Sequence, residues 1–151
     1  MSGSLSGEVF LWNLLTEQLT MRAHTNEGMS VNALCWERNM LFCAADMDLH
    51  VIDTGTGRKV ETLKGHTDVI TCLQVNMPWV ISGSRDASIK VWSTRTWRCV
   101  RTMSAPGVRC LSVINSARLM LVGLDSGEIQ WWSQGPDADP PAPSQPRMNL
   151  V

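Results

Sequence analysis

Ser82, His66 and Asp86 have the side-chain types of a nucleophile, a general base and the acid that orients it, the set that cleaves esters and amides. Such chemistry also needs oxyanion donors at an open cleft. The stretch that carries two of the three, SGSRDASIKVW at 82–92, lacks the strained GxSxG turn that exposes a serine nucleophile. Its alternation places Ser82 inside a strand instead. Other chemistry finds less support. Five cysteines, Cys35, Cys43, Cys72, Cys99 and Cys110, are odd in number and show no CxxC spacing. Each lies among apolar residues, so they read as buried, reduced thiols rather than as a disulfide framework or a zinc site. None of His24, His50 and His66 has a second ligand at metal-binding spacing, and His50 is expected on a solvated outer face because it alternates with Leu49 and Val51. Lys64, His66 and Arg101 make no nucleotide site, since no glycine-rich loop precedes a helix. The sequence points to no cofactor and no metal.

The elements that must position these residues follow from a repeat. On a period of forty, the phrase around Ser82 occurs four times: SGSLSGEVFLWN at 2–13, FCAADMDLHVID at 42–53, SGSRDASIKVWS at 82–93 and VGLDSGEIQWWS at 122–133. They align without gaps. Val9 and Leu11, Leu49 and Val51, Ile89 and Val91, and Ile129 and Trp131 fall at matching positions two apart, as in half-buried strands. The intervals match as well: VNALCW, ITCLQV and VRCLSV form one set, and QLTMRAH, VETLKGH and VRTMSAP another. Each period holds four strands, a to d. The connectors DTGTGRK and STRTW have the composition of hairpin turns. The predicted fold class is all-β, a β-propeller of four-stranded antiparallel blades.

Gly65–His66, Asp86 and Val91–Trp92 resemble the signature of the WD-repeat family, over about positions 2 to 133. The match is strong in the repeat that holds Trp92 and degenerate in the others; of the closing acids only Asp53 is present, where Asn13, Ser93 and Ser133 stand elsewhere. The resemblance implies a buried polar chain running from the Trp92 indole to Ser82, His66 and Asp86, which gives each buried group a partner. In the second repeat His24 and Asp46 are kept, but Phe42 and Ile52 replace the serine and tryptophan; in the fourth, Trp132 is kept beside Pro106 and Ser126.

The chain is expected to form an incomplete ring, with only c and d of a first blade and no d strand after EIQWWS (128–133). It reads as the C-terminal part of a larger propeller, with 1–133 as the partial propeller and 134–151 as a proline-rich, disordered tail without strand pattern. Exposed apolar blade faces favour self-association or pairing with missing blades. A formal net charge of −1 gives no footprint for nucleic acid, and the apolar runs are far shorter than the ~20 residues of a membrane span. A cytoplasmic location is expected, with the nucleus as second choice.

What the resemblance implies for function is a non-enzymatic protein–protein interaction scaffold in a regulatory or adaptor protein. A second reading rests on Arg85 and Arg109. Arginines in a similar SGSRD turn and VRC strand start of the F-box substrate receptors grip phosphorylated peptides, and guanidinium offers phosphate a fixed fork of donors. A third is the propeller of an exchange factor or kinase without activity of its own. Trp79 and Trp97, expected exposed in the a–b and c–d turns, are further candidate contacts.

Overall fold

A computed structural model describes residues 2–25, 29–114, 119–133 and 142–143. All of its regular elements are strands. The first sheet holds β1 (Ser2–Gly3), β2 (Glu8–Asn13) and β3 (Gln18–His24). The second holds β4 (Val31–Glu37), β5 (Met40–Ala45), β6 (Asp48–Asp53) and β7 (Lys59–Leu63). The third holds β8 (Ile70–Asn76), β9 (Trp79–Ser84), β10 (Ser88–Ser93) and β11 (Cys99–Ser104). The fourth holds β12 (Val108–Ile114), β13 (Leu119–Leu124), β14 (Ile129–Ser133) and β15 (Ala142–Pro143). Every sheet is an antiparallel meander. The four form a row of propeller blades that does not close into a ring.

Three apolar clusters lie between successive sheets. Val9, Met21 and Ala23 meet Leu41, Cys43 and Ile52 between the first and second. Phe42, Leu49 and Val51 meet Leu73, Val80 and Trp92 between the second and third. Ile81, Ile89 and Val91 meet Val108, Met120 and Val122 between the third and fourth. Successive residues of a strand point to opposite faces, so each inner sheet needs apolar residues at odd and even positions alike. That geometry corrects the reading of His50. It does point away from Leu49 and Val51, but the face it reaches is the interface with the first sheet, and its side chain is fully buried. Its Nδ1 lies 3.1 Å from Thr62 Oγ1.

Two irregularities recur from blade to blade, a bulge in the second to fourth and a left-handed turn in the first to third. The first strand carries a β-bulge at its second residue, with the register shifting across Asn32, Thr71 and Arg109. A bulge re-aims the extra side chain. The c–d turn places Glu17, Gly57 and Trp97, forty residues apart, in the left-handed region with φ of 54°, 69° and 56°. Glycine takes that conformation freely and a bulky side chain does so at a cost.

Three expectations need correction. The alignment without gaps fails in the second blade, where only Asp46 and Met47 connect β5 to β6, against Arg85, Asp86 and Ala87 between β9 and β10. Cys43 pairs with His50 as Ser82 pairs with Lys90, so Cys43 and not Phe42 holds the serine position. The Asp46 amide donates to Ser30 as the Arg85 amide donates to Val69, which makes Asp46 the counterpart of Arg85 rather than of Asp86; His24 is exposed. Finally, Ala142–Pro143 pair with Trp132 and Ser133 of β14. The fourth blade thus has an outer strand, drawn from the stretch read as a strandless tail. The remainder of 134–151 lies outside the described residues.

Close approach of blades is set by a small residue at the middle of each inner interface. A Cβ on Gly83 would lie 2.7 Å from Cys72 Sγ and 2.9 Å from a Val108 methyl. Gly83→Val is therefore expected to cost about 1–3 kcal/mol through overpacking. A thermal melt equal to that of the parent chain contradicts the packing described.

Candidate functional site: a buried Ser-His-Asp-Trp brace

Ser82 lies mid-strand in β9, opposite Lys90 of β10, and His66 comes from the loop between β7 and β8, which links the second and third blades. Asp86 stands in the β9–β10 turn, and Trp92 near the end of β10. The structure brings all four together. His66 Nε2 is 2.8 Å from Ser82 Oγ, and His66 Nδ1 is 2.7 Å from Asp86 Oδ2. The Trp92 indole donates to Ser82 Oγ at 2.9 Å. The ring edge of His66 faces Trp92 at 6.1 Å between centroids.

One protonation pattern satisfies every group. Neutral His66 donates from Nδ1 to Asp86 and accepts at Nε2 from the Ser82 hydroxyl, which in turn accepts from Trp92. Asp86 takes further hydrogen bonds from the Ser88 hydroxyl (2.6 Å) and amide (2.9 Å) and from the Thr67 amide (3.1 Å). Its own amide donates to Ser84 Oγ, which donates on to the Asp68 carbonyl. Turn, loop and strand are thereby tied to one another.

The distances within Ser82, His66 and Asp86 are those of a hydrolytic triad, and the surroundings are not. Ser82 is 0% exposed, its second hydrogen-bonding site is taken by Trp92, and Trp92 itself packs into the cluster against Phe42 and Leu49. No substrate carbonyl reaches the oxygen without removing that indole. The arrangement holds a loop in place; it does not present a nucleophile.

Electrostatics follow from the same burial. Burial alone raises the Asp86 carboxyl, but hydrogen bonds from Ser88, His66 and Thr67 outweigh it and bring its pKa down to about 2. Burial lowers His66, and the adjoining Asp86 restores part of that shift. Burial also lowers His50, reinforced by Lys59. The thiols of Cys35 and Cys72 are raised by burial, and that of Cys43 is pushed up to about 12, so these sulfurs stay protonated and inert; Cys99 and Cys110, expected buried, are exposed. Among the described residues, no three metal-ligating side chains converge.

The first blade repeats half of the brace. The Trp12 indole donates to Ser2 Oγ at 3.2 Å, across a register in which Ser2 opposes Phe10 as Ser82 opposes Lys90. In the sequence this pair is marked by the shared opening of SGSLSGEVFLW and SGSRDASIKVW, and it is absent from the expected site residues. Trp79 and Trp97 differ from expectation in another way. Both are half-buried, Trp79 against the cluster between the third and fourth sheets and Trp97 against that between the second and third. The turns lie beside the neighbouring sheet, and one part of each aromatic packs there while the rest stays accessible.

Arg85 and Arg109 are both exposed. The Arg85 amide donates to the Val69 carbonyl; two residues on, Thr71 Oγ1 donates to the Val108 carbonyl of the next blade at 3.1 Å. Arg109 follows as the bulge residue of β12. The two arginines therefore belong to one rim, formed by the starts of the first strands and the β9–β10 turn.

Stacked antiparallel sheets, related by a forty-residue repeat and pinned by this brace, define a β-propeller repeat protein. Residues 57–93 match the family WD domain, G-beta repeat, which makes that stretch a WD repeat. The chain is similar to human THO complex subunit 6, with 36% identity over 82 residues that make up 51% of this chain and 24% of that protein. It is 24% identical to the Schizosaccharomyces pombe pre-mRNA-splicing factor cwf17 over 87% of this chain and 41% of that one. To the Drosophila melanogaster F-box/WD repeat-containing protein 7 it is 45% identical over 65 residues, 40% of this chain and 5% of that protein. The chain thus spans well under half the length of these relatives. Among solved structures it is similar to the computationally designed Ika4 protein, with TM-score 0.75 and 28% identity over 88% of this chain and 83% of that one. The designed Ika8 protein matches with TM-score 0.72 and 28% identity over 89% of this chain and 42% of that one.

Two outcomes test the brace. Ser82→Ala leaves the Trp92 N–H and His66 Nε2 buried without partners and is expected to cost about 2–6 kcal/mol, from roughly 1–3 for each orphaned group; the wild-type chain stays unlabelled at Ser82 by a serine-directed phosphonate. Labelling of Ser82 would overturn the structural role. The pH dependence has a definite sign. His66 and His50 are depressed in the folded chain, so stability is full above their unfolded value of about 6.5 and falls as pH drops below it. Asp86 adds a second loss as pH falls from about 4 through 2. A chemical-denaturation series from pH 8 to 3 showing no decline contradicts these assignments.

Proposed function

We propose that the chain is a non-enzymatic protein-interaction scaffold and works as part of a larger assembly. The observation that carries this reading is the division of its polar residues. The Ser-His-Asp set is spent inside the third blade, while Arg85, Arg109 and Asn32 are exposed on the rim that the bulges create. A stacked sheet row with its chemistry-bearing groups buried offers a rigid surface rather than a cleft. WD repeats serve protein interaction, and the relatives named as a complex subunit and a splicing factor support membership of a multi-protein assembly. They favour the nucleus over the cytoplasm, the location first expected. Co-purification of the tagged chain from cells is expected to recover defined proteins that are lost from Arg85→Glu/Arg109→Glu. Recovery unchanged by that double variant, with an unchanged melt, counts against the rim.

A narrower reading gives the rim an acidic or phosphorylated peptide. It is favoured by the exposure of both guanidinium groups and by the local similarity to the F-box/WD protein. Arginine binds phosphate through paired donors in fixed geometry. Titration with a phosphopeptide library is expected to find ligands whose affinity falls at least tenfold in Arg85→Glu and recovers in part in Arg85→Lys, with no change in melting. Equal affinity for phosphorylated and unphosphorylated forms would rule this reading out.

A further inference from the structure

Each sheet has two unlike faces, and the chain joins them in one way only. On one face of the c strand stand Val9 and Leu11, Leu49 and Val51, Ile89 and Val91, or Ile129 and Trp131. On the other stand Phe10 and Trp12, His50 and Ile52, or Lys90 and Trp92. In all three interfaces, the Val/Leu/Ile-bearing face of one sheet lies on the tryptophan-type face of the next: Val9 on the side of Ile52, Leu49 and Val51 on that of Trp92, Ile89 and Val91 on that of Met120 and Val122. The row does not close. Among the described residues two faces are left uncovered, and they are of opposite kinds.

The face left on the first sheet carries Phe10 and Trp12, with ring centroids 6.3 Å apart. Trp12 is 42% exposed, whereas its counterpart Trp92 is 2% exposed beneath the second sheet. Around it Leu14, Leu15 and Leu19 are also exposed, the first two almost wholly so. The face left on the fourth sheet carries Cys110, Leu121 and Ile129. Gly123, which lies at the Gly83 position between Cys110 and Ile129, supplies the same flat spot that lets the fourth sheet approach the third. The half-buried Ile129 stands where Ile89 is fully buried.

We infer that a second copy of the chain covers these faces, the fourth sheet of each copy seating on the first sheet of the other in a repeat of the interface already made three times within the chain. Such a contact is head-to-tail. It closes when rotation per sheet allows and otherwise runs on as a filament. Two copies of four sheets give eight, within the range in which propellers close. This row superposes on 42% of the designed Ika8 chain with TM-score 0.72, so a chain of about twice its length accommodates the same stacking of sheets.

Sedimentation velocity on the purified chain tests this. A species of twice the 16.7 kDa chain mass is expected at micromolar concentration. Trp12→Glu spoils one face and Ile129→Glu the other, so each variant alone is expected to run as a monomer. Mixing the two leaves one intact pair of faces, and dimer is expected to return. That recovery also proves both variants folded. A folded wild-type monomer at every concentration overturns the inference, as does a dimer that survives either substitution, or one that Trp12→Glu abolishes while Ile129→Glu does not.

Discussion

Leu49 and Val51 leave one side of the second sheet to lie on Trp92 and Val80, while Cys43 and Ile52 on its other side lie on Val9 and Met21. An inner sheet buried on both faces is the constraint from which the rest follows. It requires apolar side chains at successive strand positions. It makes a small residue necessary wherever two sheets approach most closely, as at Gly83. It also leaves no solvated face for a polar residue on a central strand, which must find its partner within the protein or go without.

Among the described residues, the third blade meets that requirement with the most extended buried polar chain. Serine, histidine, aspartate and tryptophan would each be costly alone under a neighbouring sheet. Linked in series they satisfy one another, and the low dielectric that penalises a lone polar group strengthens a complete network. The second blade, with Cys43 and Ile52 at the corresponding positions, lacks this polar chain and rests on packing and on the buried His50–Thr62 hydrogen bond. Both solutions hold a blade, and the difference lies in what is fixed: the brace ties the inter-blade loop at His66 to the turn that carries Arg85. A rigid rim is thus a consequence of buried chemistry.

Much of this was legible in the sequence. The forty-residue period gave the blades and strand order, and the resemblance around Gly65–His66 and Trp92 placed four polar residues that the structure puts within hydrogen-bonding distance. The failures share a physical cause. His50, Trp79 and Trp97 were read from single strands and turns, yet their burial is decided by a neighbouring sheet, which periodicity within one strand does not report. The one-residue shortening at Asp46–Met47 escaped because both turn lengths suit a hairpin and the flanking residues are similarly apolar. Ala142–Pro143 lie in a stretch whose prolines hide a two-residue pairing. Ser2 and Trp12 stand without a histidine and aspartate to complete the set, and a serine and a tryptophan ten residues apart carry no signal on their own.

Ser82, His66, Asp86 and Trp92 form one closed structural unit, opened only when the blade unfolds. Hydrogen exchange of the tryptophan indole N–H groups, followed by NMR, tests it within one sample. Trp92 is expected to exchange only through global unfolding, with a protection free energy that tracks the stability of the whole chain as denaturant is added, while the partly exposed Trp12 exchanges orders of magnitude faster in the monomer. Trp92 exchanging as fast as Trp12, or independently of denaturant, would contradict it.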